Sequence, residues 1–489
     1  MKTTAVGCAQ HAVASPASYD PGPAQASLAG LADKKRLPWP DVDETHDSAV
    51  TGGPEGVDEG VTVRVTAAEA QANLFAVLQL CAASKLRCSE KTRRPGAASL
   101  GEVAAALVAG DFLLLHPIAS FAWPLLVQAG ALAELAGGRL RLTARGRAAL
   151  TEPAADTIRH LWKRWVSHAV LDEMSRIEEI KGQRSARALT AAHPRRKAVA
   201  TALATCSPGQ WVSIEELFSR MRRRQPQPTV ARNPWKLYIG DPQYGSLGYD
   251  GCHAWSVLEG RYTLCLLFEY AGTLGLFDLA YTQPAGARDD YHENWGTDDL
   301  DQLSRYDGLR AVRLNPLGAF ALGLTRTYQP AADTNATGPG LKVLPNLDIV
   351  LTEEMRPADR LLLDAYARRS SDRVWSLTAD SLLAAIDAGR QLAELSRFLR
   401  DRTQHALPST VTTLLADVTA RSTGIRDLGI TRLVVCSDPA LTTLIARDRK
   451  LRQLCSPVGD HHIAIPITQE SDFRRALRSL GYVLHTGSG

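Results

Sequence analysis

Twelve basic side chains fall between residues 181 and 236: Lys181, Arg184, Arg187, Arg195, Arg196, Lys197, Arg220, Arg222, Arg223, Arg224, Arg232 and Lys236. Only Glu215 and Glu216 oppose them, and Trp211, Trp235, Tyr238 and Tyr244 are interleaved. Cations at this density attract a phosphate backbone by releasing its condensed counterions. The competing readings are a solvated linker and a surface for an acidic protein partner.

A second basic set, Lys85, Arg87, Lys91, Arg93 and Arg94, precedes a predicted helix over 99–109. Arg139, Arg141, Arg145 and Arg147 extend it, with ordinary loop solvation as the bland alternative. Together the two sets nominate Lys85, Arg87, Lys91, Arg93, Arg94, Arg141, Arg145, Arg195, Arg196, Lys197, Arg222, Arg223 and Arg224 as DNA contacts.

The catalytic candidates are weaker. Asp289, Asp290, Glu293, Asp298, Asp299 and Asp301 make residues 282–308 acidic, and paired carboxylates can hold Mg²⁺ for phosphodiester cleavage. No lysine or histidine stands at a defined spacing to complete such a site. A loop that docks a partner, or competes with DNA for the basic patch, fits as well. "EIK" (179–181) with Asp172 has the composition of a nuclease triad, but Trp162, Trp165, Ala169 and Ile177 recur at helical spacing, and a helix scatters the triad. His461 and His462 enter a predicted strand, where neighbours face opposite sides. Cys252–His253 has no second pair at ligand spacing. "DETH" (43–46) looks like the acidic box of a helicase, yet the chain has no GxxxxGK[ST] loop to cradle a nucleotide. GxSxG and GxGxxG are absent too. The expectation is a non-enzymatic chain with no cofactor, no metal and no catalytic residues.

The elements that position these residues follow from length and periodicity. A chain of 489 residues with 45% apolar and 22% charged content divides into two to four soluble domains. Its net charge of +4 decides nothing by itself. Eight cysteines without a CxxC pair suggest buried thiols in a reducing compartment. The first 30 residues lack an apolar signal core, and the run at 112–127 is broken by His116, Pro117 and Pro124. A cytoplasmic protein without membrane contact is the expectation.

The fold class expected is a multidomain α+β protein. Residues 1–60, rich in small and polar types, suit a disordered tail. Residues 61–155 suit a winged helix-turn-helix unit, with helices over 67–83, 99–109 and 118–130 and a hairpin turning at Gly137–Gly138. A connecting helix over 156–192 leads to a second such unit over 193–329. There "SIEE" (213–216) opens one helix, 253–275 forms a long one, and strands at 275–281 and 309–314 flank the acidic insert. A linker (330–340) precedes an α/β domain over 341–489, with strands expected at 343–351, 372–377, 430–436, 462–467 and 481–485. The repeat is visible directly: "LRLTARGRAAL" (140–150) echoes "VRLNPLGAFAL" (312–322), each read as a returning wing strand plus a terminal helix, with Thr143 capping the first.

Residues "VLPNLDIVL" (343–351), "SSDRVWSLTADSLLAAIDAG" (370–389), "LPSTVTTLLADV" (407–418) and "DPALTTLIARDRKLRQL" (438–454) carry a resemblance to a known family. "ALRSLGYVL" (476–484) and the basic loop and helix "LRCSEKTRRPGAASLGEVAAAL" (86–107) fit it as well. This part of the chain resembles the N-terminal accessory, damage-recognition-like region of XPB-type DNA repair helicases and their bacterial relatives. The resemblance implies a DNA-engaging accessory region without a motor. It would serve a separately encoded helicase, nuclease or methyltransferase in bacterial DNA repair or phage defence. A protein–protein adaptor built on winged helices is the alternative, and a divergent metal-dependent nuclease the third reading.

Overall fold

The computed structural model describes residues 60–485 apart from 169, 224–225, 250–254, 331–339, 425–426 and 428. The predicted tail with its "DETH" box, nearly all of the 330–340 linker, Arg224 and the Cys252–His253 pair lie outside the described residues.

The chain is described from a short strand, β1 (Thr62–Arg64), followed by α1 (Ala67–Ala82), α2 (Ala97–Ala106) and α3 (Ala119–Ala129). Along α1 the buried Ala70, Leu74, Val77, Leu78 and Cys81 recur at the three- and four-residue steps that place side chains on one helical face. The start of α3 is fixed from a distance. The Asp111 carboxylate accepts the amide hydrogens of Ile118, Ala119 and Ser120 at 2.8–3.2 Å and the Ser120 hydroxyl at 2.6 Å, satisfying donors that a helix start leaves open. A hairpin of β2 (Ala133–Ala136) and β3 (Arg139–Leu142) turns at Gly137–Gly138, both left-handed. Residues 86–88 line the free edge of β3, with Leu140 N donating to Leu86 O at 2.9 Å and Cys88 N to Gly138 O at 3.0 Å. Two helices, α4 (Ala144–Ala149) and α5 (Ala154–Ser167), complete this part.

The same order returns in α6 (Ala192–Leu203), β4 (Trp211–Ser213) and α7 (Ile214–Arg223). A continuous helix, α8, is π-helical over Ser256–Gly260, α-helical over Arg261–Cys265 and π-helical again over Leu266–Gly272. Then come β5 (Phe277–Tyr281), β6 (Leu309–Leu314) and α9 (Pro316–Leu322). The sequence echo marks equivalent places. Thr143 N donates to Leu132 O and Asn315 N to Leu276 O. The Thr143 and Asn315 side chains accept from Gly146 N and Gly318 N, capping α4 and α9. A Cβ added to Gly146 or Gly318 would stand 1.9 Å from the Leu132 or Leu276 carbonyl oxygen, so only glycine lets the helix sit there.

The two parts do not form separate domains. Strand β1 pairs antiparallel with β5 across about 220 residues, giving a sheet of order β1-β5-β6-β4, and one hydrophobic core runs through both parts. Phe112 meets Phe268 at 5.3 Å between ring centroids, and Trp165 stacks on Tyr270 at 4.5 Å. Each fully buried Leu or Phe in this core contributes about 1.5–3 kcal/mol relative to exposure. The connecting helix expected over 156–192 ends at Ser167. A 3₁₀ turn (Glu173–Arg176) and an extended stretch follow, because Lys181 N donates to Tyr238 O at 2.7 Å instead of to its own chain four residues back.

Beyond residue 340 the expected single α/β domain divides into two antiparallel sheets with separate cores. The first has order β7-β8-β10-β9, built from β7 (Leu341–Val343), β8 (Asp348–Leu351), β9 (Arg368–Ser371) and β10 (Val374–Ser376). It carries α10 (Pro357–Tyr366), α11 (Ala379–Asp387), α12 (Leu392–Arg402) and α13 (Ser409–Thr423) around the buried Trp375. The second has order β11-β13-β12, built from β11 (Thr431–Val435), β12 (Ser456–Val458) and β13 (His462–Pro466), with α14 (Pro439–Arg447) and α15 (Glu470–Ser479). The strand expected at 481–485 does not form; the backbone there closes the end of α15, with Tyr482 N donating to Leu477 O at 3.1 Å, and Arg474 donates to Leu484 O at 3.0 Å. A buried polar knot joins α12 to α1. Gln79 donates to Glu394 Oε1 at 2.5 Å, Tyr366 OH to Oε2 at 2.7 Å, and Arg390 to Oε1 at 3.2 Å.

Candidate nucleic-acid interface

The hairpin β2–β3 and its added edge gather one basic set on one face. Arg87 bridges Arg139, which places Lys85 opposite Arg141, while the alternate residues Leu86 and Leu140 turn into the core. Lys85, Arg87 and Arg141 are exposed, and so are Lys91 and Arg93 at the tip of the 89–94 turn. Arg93 holds a left-handed φ of 61°, which turns the chain back so that Ser89 N reaches Arg94 O at 2.9 Å. Arg145 and Arg147 stand exposed on α4. Three carboxylates share the neighbourhood: Glu90, Glu134 opposite Arg141, and Glu102, which is 3.8 Å from the Lys85 ammonium. The balance stays cationic. Arg94 departs from the group, donating to Ser175 Oγ at 2.7 Å, and burial and then Arg176 hold its pKa below the usual arginine value.

The second basic set is broken up by the fold. Arg195 and Arg196 are each 1% exposed and cannot meet a phosphate. Arg195 pairs with Asp172 at 2.5 Å. Arg196 is ion-paired with the buried Glu173 and donates to the Trp165, His168 and Leu171 carbonyls at 2.5, 2.7 and 2.9 Å. Burial raises the pKa of the Glu173 carboxyl, and Arg196 offsets only part of that rise. Charge density alone would put both arginines on the surface. They are interior struts, because Asp172 and Glu173 arrive beside α6 from the stretch that follows α5. Lys197, Arg222 and Arg223 remain exposed, and the Arg222 guanidinium lies 5.7 Å from the centre of the Trp255 ring.

More buried charge surrounds α8, and periodicity gives little sign of it. Arg176 donates to Glu269 Oε2 at 2.9 Å, and Tyr306 also donates to that carboxylate. Arg261 pairs with Asp307 at 3.0 Å and with Asp290 at 2.5 Å. Glu269 at helical spacing within an apolar run is the one sequence trace of this network. The third helix of each repeat lies inside it. All of α3 except Gln128 is buried, and all of α8 except Glu259. Neither helix is available to a major groove, since the two pack on each other.

The catalytic candidates do not converge. In the acidic insert, burial pushes the Asp290 carboxyl up, but Arg261 and Arg288 together hold it below the usual range. Asp289, Glu293, Asp298 and Asp299 point to solvent. Lys181 pairs with Glu179 at 3.5 Å in solvent while Asp172 is engaged by Arg195, so "EIK" and Asp172 form no triad. Among the described residues no three of His, Cys, Asp and Glu stand where one metal ion could be shared. Cys81, Cys88, Cys206, Cys265, Cys436 and Cys455 are free and buried, and burial pushes the Cys88 thiol up to about 11. No described helix is long and apolar enough to cross a membrane.

Residues 341–457 match the family model for the helicase conserved C-terminal domain. The match takes in the β7–β10 sheet with its four helices and runs on into β12, about a quarter of the chain. It links this region to helicase-related proteins. No curated protein matches the chain.

Proposed function

We propose that the chain is a non-catalytic nucleic-acid-binding subunit that works with a separately encoded motor or nuclease, in DNA repair or phage defence. The carrying observation is the register that sets Lys85, Arg87, Arg139 and Arg141 on one solvent face of the first repeat. On this reading each repeat is a winged helix-turn-helix that has given up its recognition helix to a shared core and kept its wing. The first wing meets the phosphate backbone; the second, its two strands sealed under β1 and β4, serves packing. The region beyond residue 340 plays the part of the accessory region of XPB-type helicases, and the match at 341–457 supports a helicase-related role for it. Contact through a wing favours affinity without strong base selectivity.

Titration of labelled duplex DNA tests the proposal. Log affinity falls steeply with log salt, and Lys85→Glu, Arg87→Glu and Arg141→Glu together weaken binding at least about tenfold. They also flatten the slope by about 0.9 for each phosphate that is no longer neutralised. Absence of duplex and single-strand binding at low salt removes the reading. That result would turn attention to the adaptor alternative, for which the solvent-exposed Leu114 and Leu115 before α3 are the supporting observation.

A further inference from the structure

We infer that residues 232–249 together with Trp295 form a second nucleic-acid site, one that takes unpaired strands by stacking their bases on Trp235 and Trp295. The inference rests on the nucleic-acid reading above but concerns a different surface, remote in sequence from the basic hairpin.

Four aromatic side chains stand in solvent here: Trp235 at 59% exposure, Tyr244 at 59%, Trp295 at 52% and Tyr249 at 42%. They are contiguous. Trp235 meets Tyr249 edge-on at 5.1 Å, the Tyr249 hydroxyl donates to Gln243 O at 2.8 Å, and the neighbouring Tyr244 lies 5.6 Å from Trp295. The rings are seated as well as exposed. A Cβ on Gly248 would stand 2.3 Å from the Trp235 ring, so the indole rests on bare backbone there. Trp295 lies more loosely over Gly240, where a Cβ would stand 3.3 Å from its ring. An indole fixed on one face and open on the other has already given up its rotamer freedom, so a base stacks on it at little further entropic cost.

Charge selects the occupant. The backbone at 186–189 runs beside 230–236, with Arg232 N donating to Ala188 O at 2.9 Å and the Lys236 ammonium donating to Ala186 O. That brings Arg184, Arg187 and Arg232 to the Trp235 end, all exposed. Among the described residues none of these three guanidiniums is held in an ion pair. The Asp241 carboxylate is turned to the Gln243 and Tyr244 amides at 2.7 and 3.1 Å. Glu293, Asp298 and Asp299 are exposed beside Trp295 in sequence and disfavour phosphate at that end. The backbone of a strand therefore follows the arginine side while its bases lie on the rings. A duplex, whose base faces are already stacked on one another, cannot use the surface in this way.

Anisotropy titrations of the full chain with a labelled oligothymidylate, a labelled oligouridylate (each about twenty nucleotides) and a duplex test the inference. Trp235→Ala with Trp295→Ala is expected to weaken single-strand binding about tenfold or more and to leave duplex binding and the thermal transition unchanged. Trp235→Phe with Trp295→Phe restores most of the affinity that the alanines remove. Tighter binding of the uridylate identifies the strand as RNA, and tighter binding of the thymidylate as DNA. Equal single-strand affinity in the double Ala variant overturns the site. Duplex binding without any single-strand binding also overturns it and leaves the rings to a protein partner. Absence of binding to all three probes overturns the proposed function along with it.

Discussion

Arg87 and Arg141 in the first repeat, and Arg195 and Arg196 in the second, come from basic runs of similar density. The first pair stands in solvent; the second is sealed in the interior. Their neighbours in space account for the difference. Arg87 and Arg141 lie on a strand face whose reverse carries Leu86 and Leu140, so folding the leucines inward turns the charge outward. Arg195 and Arg196 sit on a helix flanked by Asp172 and Glu173, and each guanidinium enters the core with a carboxylate and carbonyl oxygens to replace water. A buried guanidinium with such partners is tolerated, whereas one stripped of them is strongly destabilising. Charge density along a chain thus reports a binding surface only where the fold leaves the cations in solvent and does not seal them in the core against buried carboxylates.

The widest gap between the two pairs lies in stability. Arg196→Ala takes from Glu173 its counterion in the core and leaves it only the Tyr262 hydroxyl, which is expected to cost about 3–5 kcal/mol, while Arg87→Ala changes stability by no more than about 0.5 kcal/mol. Urea denaturation of the two variants measures this, and equal midpoints would break the comparison. Next come the paired glycines. Gly146→Ala and Gly318→Ala each drive a methyl group into a carbonyl and are expected to cost about 1–3 kcal/mol apiece. A destabilisation at one site and none at the other, read from the same denaturation curves, would end the equivalence of the repeats. The smallest effect sharpens the contrast within the exposed cations. Reversing Arg222 and Arg223 to Glu is expected to weaken duplex binding about threefold, well short of the hairpin triple reversal. A larger effect at α7 than at the hairpin in anisotropy titrations would move the main interface to the second repeat.

Much of the local structure is legible in the sequence. The alternation in "LRAVRL" places β6 at Leu309–Leu314, and the echo between 140–150 and 312–322 locates the Thr143 cap and two glycines that occupy matching positions. Such features are written in neighbouring residues. The illegible features depend on segments far apart. Nothing near Thr62 announces its pairing with Tyr281, and nothing near Arg196 announces Glu173. The division of the region beyond 340 is hidden for a related reason, since alternating strands and helices look the same whether they fill one sheet or two. Of the thirteen nominated DNA-binding residues, those on the hairpin and its added edge come together because strand pairing sets alternate residues on one face. Arg195, Arg196 and Arg94 are taken up instead by partners from other elements.

Strand β1 has a consequence in time. It leaves the ribosome about 220 residues before Phe277–Tyr281, the strand it must join. At about 5–20 residues per second, that is a wait of roughly 10–45 s during which Thr62–Arg64 has no partner. The first repeat therefore emerges as an incomplete body whose Phe112 and Trp165 lack the Phe268 and Tyr270 rings they pack on until α8 arrives. Arrested nascent chains ending near residue 200 should be cut readily by protease in α3, and chains extended past residue 330 should resist. Equal resistance at both lengths would show that the first repeat closes without β5. In this protein β1 is made before β5 and can join its sheet only after it.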